Sequence, residues 1–371
     1  MRLLVSGGGT GGHVYPILAV LQQLISKVTS PSEVCYVGNA SGIEADLAAR
    51  AGLPFQGIST ASLQGSAPWA LPARLTRLAR GTAQSVRLID RFSPQAVLAT
   101  GGYVCAPTIV AAWIRGVPSL VYLPDLTPGL AIRVLARFAT RIAVSFPPSK
   151  SFFGPGKAVV TGYPVRAELL KADRFSSRRR LGLDELERTL LVFGGSQGAH
   201  SINVALSEAL DELLEICQVV HISGDADTSW LSARRDALPQ AVVKRYSVYP
   251  YLHEKMIDAL AAADLVVARA GAATTAEFPA LGLPSILIPY PYAGRHQELN
   301  ANYMVESGAA VKIAEADLEK GVLSKTVAEL FEDQQELARL GDGARRLAQP
   351  SAAPRVAQLL TDIARPNCLT H

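Results

Sequence analysis

The chain has 371 residues, of which 49% are hydrophobic and 18% are charged. That length accommodates two folded cores, and that composition excludes a largely disordered protein. The four cysteines are scattered without metal-ligand spacing, at Cys35, Cys105, Cys217 and Cys368. This pattern excludes a disulfide framework or a zinc site of familiar spacing, and it fits a reducing cytosol.

Charge is divided unevenly along the chain. Residues 1–165 contain 14 Lys and Arg against 5 Asp and Glu, a net charge of +9, whereas the remainder contains 22 against 27, a net charge of −5. A basic first half indicates an anionic ligand or surface, although an ordinary solvated arginine face has the same composition. Aromatic residues are not interleaved with these arginines and no nucleic-acid-binding motif is present, so we expect no nucleic-acid partner.

Short apolar runs alternate with helical patterns in both halves. In the first half the predicted strands are Leu3–Val5, Val34–Val37, Ala96–Ala99, Ser119–Tyr122 and Ile142–Val144. In the second half they are Leu190–Phe193, Val219–Ile222, Leu265–Ala268, Ser285–Ile288 and Ala310–Ile313. Continuous apolar runs predict parallel strands covered on both faces, and the repeated alternation predicts an α/β fold of two Rossmann-like domains facing a cleft.

The domain boundaries follow from composition. We expect an N-terminal domain of residues 1–165 and a C-terminal domain of residues 166–349, joined near 164–187, because the polar, arginine-rich segment Lys171–Thr189 lacks a strand pattern. A last helix, about residues 350–366, is expected to pack back on the first domain. The uncharged stretch Phe92–Ile114 is long enough to span a bilayer. Prolines and glycines interrupt it, however, so it predicts a buried strand, a turn and a buried helix.

A glycine-rich turn, Gly7–His13, follows the first predicted strand. A strand, such a turn and a helix place backbone N–H groups at a positive helix end, which favours a phosphate or another anion. A dinucleotide site would also need an acidic residue at the end of the second strand, and Tyr36–Asn39 has none, so NAD is not expected. His13 is placed to reach a ligand hydroxyl or phosphate; a capping or surface role is the alternative.

A second glycine turn, Gly194–Ala199, follows the first strand of the second half. The side chains of Ser196 and Gln197 add hydrogen-bonding groups to it. The alternative is a plain strand-to-helix connection, which usually needs one glycine rather than three.

The segment Arg269–Glu277 follows another predicted strand and consists mostly of small residues. Small residues let a diphosphate approach a helix N-terminus. Glu277, about two turns into that helix, would accept both hydroxyls of a ribose, unless it is a surface glutamate. Further along, His296–Asn300 follows the Pro/Gly-rich loop Pro289–Gly294 and is typical of either a polyol-binding edge or a capped helix start.

A basic patch with apolar tips is predicted in the first half. Leu71, Leu75 and Leu78 share a helix face, and Trp69 precedes them. The arginines around this face and in a second row are Arg74, Arg77, Arg80, Arg133, Arg137 and Arg141. Such a patch binds an anionic bilayer surface, although an amphipathic helix facing the core has the same pattern.

Taken together, these motifs resemble the MurG family of bacterial N-acetylglucosaminyltransferases over nearly the whole chain. The matching segments are GGTGGH at 8–13 followed by Pro16, GGY at 101–103, TGYPVR at 161–166, GGSQGA at 194–199, RAGAATTAE at 269–277 and HQELNA at 296–301. The resemblance implies the GT-B architecture, two Rossmann-like domains with a cleft between them. It implies inverting transfer of N-acetylglucosamine (GlcNAc) from UDP-GlcNAc to the muramyl C4 hydroxyl of lipid I, the undecaprenyl-linked muramyl-pentapeptide, giving lipid II for peptidoglycan synthesis. Roles in cell-wall biogenesis, cell shape and cell division follow, at the cytoplasmic face of the bacterial inner membrane.

The resemblance also implies roles for residues at matching positions. Those expected to contact the donor are Thr10, Gly11, Gly12, Arg166, Ser196, Gln197, Gly198, Leu252, Ala272, Ala273, Thr274, Glu277, His296 and Gln297. Those expected to contact the acceptor are Gly9, His13, Gly102, Tyr103 and Asp125. Among the donor set, Leu252 would present backbone to uracil, Glu277 would hold the ribose and Gln297 the GlcNAc hydroxyls.

For catalysis, His13 is the expected general base, with Asp125 as an alternative base or as the group that orients His13. Helix dipoles, turn amides and Arg166 would stabilise the leaving diphosphate, so no metal and no other cofactor is expected. The expected partners are UDP-GlcNAc, lipid I, an anionic cytoplasmic membrane surface and cell-wall synthesis proteins.

Three segments depart from the family pattern, all on or near the acceptor side. Tyr122–Asp125 stands where the family has His-Glu-Gln-Asn, Val104–Pro107 carries no serine and glycine before its proline, and Tyr163 replaces an asparagine. These departures leave three alternatives open. They are a transferase for another lipid such as diacylglycerol, a UDP-GlcNAc 2-epimerase, and a UDP-sugar-binding protein without catalysis.

Overall fold

The computed structural model describes residues 1–25, 29–62, 68–195, 197–292 and 296–365. The chain forms two compact units. One comprises residues 1–166 together with those from Pro350 onward, and the other comprises Ala167–Gln349. Each unit is built around one parallel β-sheet.

The first unit contains a seven-stranded parallel sheet in the order β3-β2-β1-β4-β5-β6-β7. Its strands are β1 Leu3–Ser6, β2 Val34–Gly38, β3 Phe55–Gly57, β4 Ala96–Ala99, β5 Ser119–Leu123, β6 Arg141–Val144 and β7 Ala158–Val160. The central strand β1 pairs in parallel with β2 through Leu3 and Val34, and with β4 through Leu3 and Ala96.

The second unit contains a six-stranded parallel sheet in the order β10-β9-β8-β11-β12-β13. Its strands are β8 Thr189–Phe193, β9 Gln218–Ile222, β10 Tyr246–Tyr249, β11 Leu265–Ala268, β12 Ser285–Leu287 and β13 Ala310–Lys312. The strands β8, β9, β11 and β12 are buried at every residue because helices cover both faces of the sheet.

Helices connect these strands. In chain order they are α1 Gly11–Leu24, α2 Ile43–Arg50, α3 Leu71–Phe92, α4 Cys105–Ile114, α5 Leu130–Leu135, α6 Ala167–Leu170, α7 Arg174–Leu181, α8 His200–Ile216, α9 Thr228–Asp236, α10 Met256–Ala262, α11 Thr274–Leu281, α12 His296–Glu306, α13 Val322–Glu332, α14 Gln334–Leu347 and α15 Ala352–Ala364. The last helix, α15, belongs to the first unit, where its buried face packs against α1.

Both sheets have the strand order of a Rossmann fold. The order reverses between β1 and β4 in the first unit and between β8 and β11 in the second. In open α/β sheets, ligands bind outside the carboxyl ends of the strands at such a reversal. The predicted α/β fold with two Rossmann-like domains is therefore confirmed, and each unit has one expected ligand-binding edge.

Every strand predicted from a continuous apolar run is present. The strands β3, β7 and β10 were not predicted, because each is short and partly exposed and lacks such a run. The uncharged stretch from Phe92 holds β4 and α4, as expected. No helix in the described part of the chain is long and apolar enough to cross a bilayer.

The arginine-rich segment before β8 is part of the second unit rather than a bare connection between units. Its helix α7 is capped by Asp173, whose side chain accepts a hydrogen bond from the Ser176 amide. Arg178 is buried there, and its guanidinium donates to Asp264 and to the Ala262 carbonyl. Basic residues in this segment therefore stabilise the unit itself.

Candidate active site

The first glycine turn lies at the carboxyl end of β1, at the strand-order reversal of the first unit. Gly7 has no room for a side chain, because a Cβ atom would lie 2.1 Å from the Thr100 hydroxyl. Gly9 is exposed, has φ +85° and has open space on its Cβ side. Thr10 is the extended N-cap residue of α1, and Gly11 and Gly12 open that helix, whose first N–H groups have no intrahelical partner. The turn therefore presents the amides of Gly11 and Gly12 at a positive helix end.

His13 is fixed by the loop that follows β4. Its Nδ1 lies 2.8 Å from the Thr100 carbonyl oxygen, and the Thr100 hydroxyl donates back to the His13 carbonyl. A carbonyl oxygen only accepts hydrogen bonds, so Nδ1 must carry the proton. In the neutral ring, Nε2 then has a free lone pair, which is the form that a general base requires.

The glycines of the loop after β4 are required by this packing. A Cβ atom on Gly101, which has φ +109°, would lie 2.9 Å from the His13 ring. A Cβ atom on Gly102 would lie 2.5 Å from the Gly8 carbonyl oxygen. Gly9, His13 and Gly102, which are expected to contact the acceptor, are therefore brought together at one edge, and Tyr103, which follows Gly102, is exposed.

Buried Cys105 stabilises the same loop. Its buried thiol donates to the Gly101 carbonyl at 2.9 Å and lies 3.2 Å from the Ser6 carbonyl. Burial raises the pKa of this thiol to about 11, so it stays protonated and acts as a hydrogen-bond donor. A cysteine at this departure from the family pattern thus serves the packing of the loop.

The segment Tyr122–Asp125, which departs from the family pattern, lies partly in the core and partly at the edge of the sheet. Tyr122 and Leu123 lie inside β5 and are buried, and the Tyr122 hydroxyl is hydrogen-bonded to the Ser145 hydroxyl at 2.6 Å. Burial raises the pKa of Tyr122, and the charge of Asp125 raises it further. Asp125 follows the strand and is half-buried, at the same carboxyl edge as the loop after β4.

The TGYPVR segment is also tied to the first glycine turn. The Tyr163 hydroxyl donates to the Gly12 carbonyl at 3.2 Å, which gives a role to the tyrosine that departs from the family pattern. The guanidinium of Arg166 lies 4.5 Å from the centre of the Tyr15 ring, a cation–π contact. Arg166 thus lies in the first unit, with the donor residues Thr10, Gly11 and Gly12.

The second glycine turn lies at the strand-order reversal of the second unit, after β8. Gly195 has φ +96° and open space on its Cβ side, and Gln197 is exposed. Gly198 packs so tightly that a Cβ atom would lie 2.3 Å from the Ser223 carbonyl oxygen. Ser196, expected to contact the donor, lies outside the described residues.

Leu252 follows β10 and is joined to this turn indirectly. The residue is buried. The carbonyl oxygen of Pro250, two residues before Leu252, accepts a hydrogen bond of 3.1 Å from the Gly224 amide. Gly224 in turn packs against Gly198, where a Cβ atom would lie 2.7 Å from the neighbouring Cα.

The loop between β11 and α11 is open to a ligand at Gly271, where a Cβ atom would meet nothing within 4 Å. Ala272 and Ala273 follow it, and the Thr274 hydroxyl bonds back to the Gly271 carbonyl at 2.6 Å. Glu277 lies in the first turn of α11, not two turns into it, because the helix begins at Thr274. It is buried, which excludes the alternative of a surface glutamate.

Two residues of the HQELNA segment order the neighbouring loops. The Gln297 side-chain oxygen accepts from the Tyr290 amide at 2.9 Å, which assigns the other end of this side chain to the NH₂ group, a hydrogen-bond donor. Buried Asn300 donates to the Ala270 carbonyl at 3.1 Å and so joins α12 to the loop after β11. His296 is partly buried at the start of α12.

An ion-pair network that the sequence did not predict fixes the start of the RAGAATTAE segment. Arg269 donates to both oxygens of the Glu315 carboxylate and to the Ser201 hydroxyl. Burial alone would raise the pKa of Glu315, but hydrogen bonds from Arg269 and Ser201 lower it. The Arg269 guanidinium also lies 5.4 Å from the centre of the Tyr290 ring. Contacts on several sides therefore fix the residue that follows β11.

A cavity of about 950 Å³ opens beside this network within the second unit. Its lining includes His200, Ser201, Tyr292 and Glu315. Among the described residues, no group of three or more His, Cys, Asp or Glu is placed to hold a metal ion.

Comparison with known proteins decides the family. Residues 3–144 match the glycosyltransferase family 28 N-terminal domain, and residues 189–356 match the glycosyltransferase family 28 C-terminal domain. The chain is 41% identical to the UDP-N-acetylglucosamine--N-acetylmuramyl-(pentapeptide) pyrophosphoryl-undecaprenol N-acetylglucosamine transferase of Roseiflexus sp. (strain RS-1), over 97% of this chain and 94% of that protein. It is 40% identical to the protein of the same description from Desulforudis audaxviator, over 98% and 99% of the two chains.

The chain belongs to the MurG family of glycosyltransferases. The crystal structure of Acinetobacter baumannii MurG is similar to it, with a TM-score of 0.74, 27% identity and coverage of 97% of this chain and 99% of that one. A UDP-GlcNAc 2-epimerase from Neisseria meningitidis has a TM-score of 0.69 but only 14% identity, so that similarity concerns the fold alone. The predicted family and the GT-B architecture are thus confirmed, and this member of the MurG family is an enzyme.

Proposed function

We propose that this MurG-family chain transfers GlcNAc from UDP-GlcNAc to the muramyl C4 hydroxyl of lipid I, with inversion, giving lipid II for peptidoglycan synthesis. The substrates are inferred from the near-full-length similarity to transferases named for this reaction. The fixed tautomer of His13, at the edge where the acceptor is expected, supports the mechanism.

In the proposed reaction, Nε2 of His13 takes the proton of the acceptor hydroxyl. The hydroxyl oxygen forms a bond to the anomeric carbon while the bond from that carbon to the β-phosphate oxygen breaks. The electron pair leaves with UDP, and attack opposite the leaving group inverts the anomeric configuration. Asp125, at the same edge of the sheet, is proposed as the alternative base or as a group that orients the acceptor or His13.

The second unit is proposed to hold the donor. The open backbone at Gly195 and Gly271 leaves room for phosphate oxygens close to the N-termini of α8 and α11. Buried Glu277 is proposed to accept the ribose hydroxyls, and the NH₂ group of Gln297 to donate to a GlcNAc hydroxyl. From the first unit, Arg166 is proposed to stabilise charge on the diphosphate as UDP leaves.

We also propose that the first unit binds an anionic cytoplasmic membrane surface, where lipid I would be presented. Trp69, Leu71 and Leu75 are 85%, 43% and 51% exposed, whereas the buried residues of α3 begin only at Gly81. This end of α3 therefore does not face the core. Apolar tips beside arginines bind such a surface. Cell-wall synthesis proteins that share the lipid substrate remain expected partners.

Radiolabelled UDP-GlcNAc tests the acceptor. The chain should transfer label to a short-chain lipid I analogue, and neither to diacylglycerol nor to water. Transfer to diacylglycerol would indicate another lipid acceptor. Conversion of UDP-GlcNAc without any acceptor would indicate an epimerase, and UDP binding without transfer would indicate a binding protein.

A further inference from the structure

A fully buried carboxylate lies against the first glycine turn, and the mechanism above does not use it. Glu44 is 0% exposed. It accepts hydrogen bonds from the Gly9 amide at 3.3 Å and from the Asn39 amide at 3.0 Å. Both of these partners are backbone N–H groups rather than a cationic side chain. Burying a carboxylate is costly unless its oxygens are satisfied, so its position calls for a reason.

The glycines of two loops make room for this carboxylate. A Cβ atom on Gly8, Gly38 or Gly42 would lie 2.5, 2.7 or 2.4 Å from an atom of the Glu44 side chain. These three glycines come from the turn after β1 and from the connection between β2 and α2. The Glu44 side chain therefore occupies the space beside these three glycines.

The surroundings of Glu44 are those of a bound anion. Glu44 lies in the first turn of α2, where the helix dipole favours negative charge. One of its oxygens accepts the N–H of Gly9, which belongs to the glycine turn that precedes the N-terminus of α1. In phosphate-binding turns of this kind, a ligand oxygen takes such a place.

The second glycine turn differs in this respect. At Gly195, as at Gly9, a Cβ atom would meet nothing within 4 Å, whereas at Gly198 it would meet the Ser223 carbonyl oxygen. The two turns have similar sequences, yet among the described residues only the first has a carboxylate packed against its glycines.

We infer that Glu44 is a positioning residue, a built-in anion that orders the first glycine turn before the acceptor binds. Its bond to the Gly9 amide fixes the exposed backbone that the acceptor is expected to meet. Gly8 carries the effect further, because its carbonyl packs against Gly102 in the loop that also fixes His13. This inference rests on the proposed function, which assigns the acceptor to this edge.

Two substitutions with opposite responses to formate test the inference. Glu44→Ala leaves a polar cavity lined by two amides, which formate can fill. We expect its KM for a lipid I analogue to rise about tenfold, because the variant loses one charge-assisted hydrogen bond to the turn. Its KM for UDP-GlcNAc should stay unchanged. Added formate should lower the acceptor KM again and raise the melting temperature of this variant more than that of the wild type.

Glu44→Gln fills the same space but turns an NH₂ group toward an amide, so it should share the raised acceptor KM without any response to formate. Asp46→Asn, which changes an exposed carboxylate on the same helix, is the matched control and should behave as the wild type. An unchanged acceptor KM in both Glu44 variants would overturn the inference while leaving the proposed function intact. If the wild type makes no lipid II, the proposed function is contradicted instead. The effect of formate on the melting temperature of Glu44→Ala would then still test whether Glu44 acts as a built-in anion, and no stabilisation by formate would contradict that role.

Discussion

At the scale of single residues, the proposed acceptor chemistry depends on which nitrogen of His13 carries the proton. The Thr100 carbonyl settles this, because it accepts from Nδ1 and leaves Nε2 to act as a base. Replacing His13 with Gln keeps a similar shape but removes the base. We expect turnover to fall about 100- to 10,000-fold.

Binding of UDP to His13→Gln, measured by calorimetry, should match the wild type, since Gly195, Gly271 and Glu277, which are proposed to hold UDP, belong to the second unit. Asp125→Asn is the companion variant, and it too should lower turnover far more than UDP affinity. Wild-type rates in both variants would remove these two residues from the mechanism.

Gly101 offers a second test of the same geometry. It has φ +109°, and a Cβ atom would lie 2.9 Å from the His13 ring. Gly101→Ala should therefore displace the imidazole and lower kcat, with little change in the KM for UDP-GlcNAc. Gly52→Ala, at a positive φ with nothing within 4 Å, controls for backbone strain alone. Equal kinetics of the two variants would contradict the role given to Gly101.

A buried histidine in the second unit predicts the pH dependence of stability. Burial lowers the pKa of His221 from 6.5 to about 3, and its ring is hydrogen-bonded to Asn203 and Tyr246. Between these two pH values the unfolded chain binds a proton that the folded chain does not. Stability from this group is therefore complete above about pH 6.5 and is lost toward pH 3, by about 1.4 kcal/mol per pH unit.

Calorimetry between pH 5 and pH 7 checks this expectation. His221→Asn should show a shallower loss of stability on acidification than the wild type. His253→Asn changes an exposed histidine of the same unit and should keep the wild-type slope. Parallel slopes in all three proteins would show that His221 does not carry the effect.

The sequence predicted the residues that lie within glycine motifs, but not the residues that support them. His13, Gly102 and Gln197 follow from local patterns beside strand ends. Glu44 and Glu315 do not, because they lie 35 and 46 residues from Gly9 and Arg269, the partners they bind. Only the fold brings such distant pairs together, so no local spacing indicates them.

At the scale of elements, α3 combines two kinds of surface. Its C-terminal half is buried at Leu88 and Ile89, whereas Leu71 and Leu75 at its start are exposed. Sequence alone could not separate a core-facing helix from a membrane-binding one, since both are amphipathic. The structure shows that the start of the helix is exposed and that burial begins only at Gly81, so the exposed end is available for the proposed membrane contact.

Vesicle binding tests the exposed end of α3. Leu75→Glu should weaken sedimentation with anionic phospholipid vesicles several-fold, because it replaces an apolar tip with a charge that anionic lipids repel. Leu186→Glu makes the same change at a side chain that is 90% exposed in the second unit, and it should bind as the wild type does. Equal weakening by both variants would indicate a general charge effect instead of a defined surface.

The central strands were predictable because covered parallel strands are continuously apolar. Short and partly exposed strands such as Phe55–Gly57 lack that signal and were missed. The position of Glu277 was misjudged because the small residues before it form the loop, and the helix begins only at Thr274.

At the scale of the whole molecule, the chain leaves the first unit and returns to it through α15. The residues of α15 that are buried in that unit include Val356 and Leu360. Leu360→Ala should lower the free energy of unfolding of the first unit by about 2 to 5 kcal/mol. The unfolding transition of the second unit should stay where it is in calorimetry. Gln358→Ala, on the exposed side of the helix, is the control, and a shift of both transitions would contradict this assignment of α15.

The most direct test of the account is the stoichiometry and linkage of the product formed from UDP-GlcNAc and a short-chain lipid I analogue. We predict one UDP released for each GlcNAc added, a β-linkage to the muramyl C4 oxygen by NMR, and no consumption of UDP-GlcNAc when the acceptor is left out. Consumption without an acceptor, an α-linked product or no lipid II at all would contradict the proposed reaction.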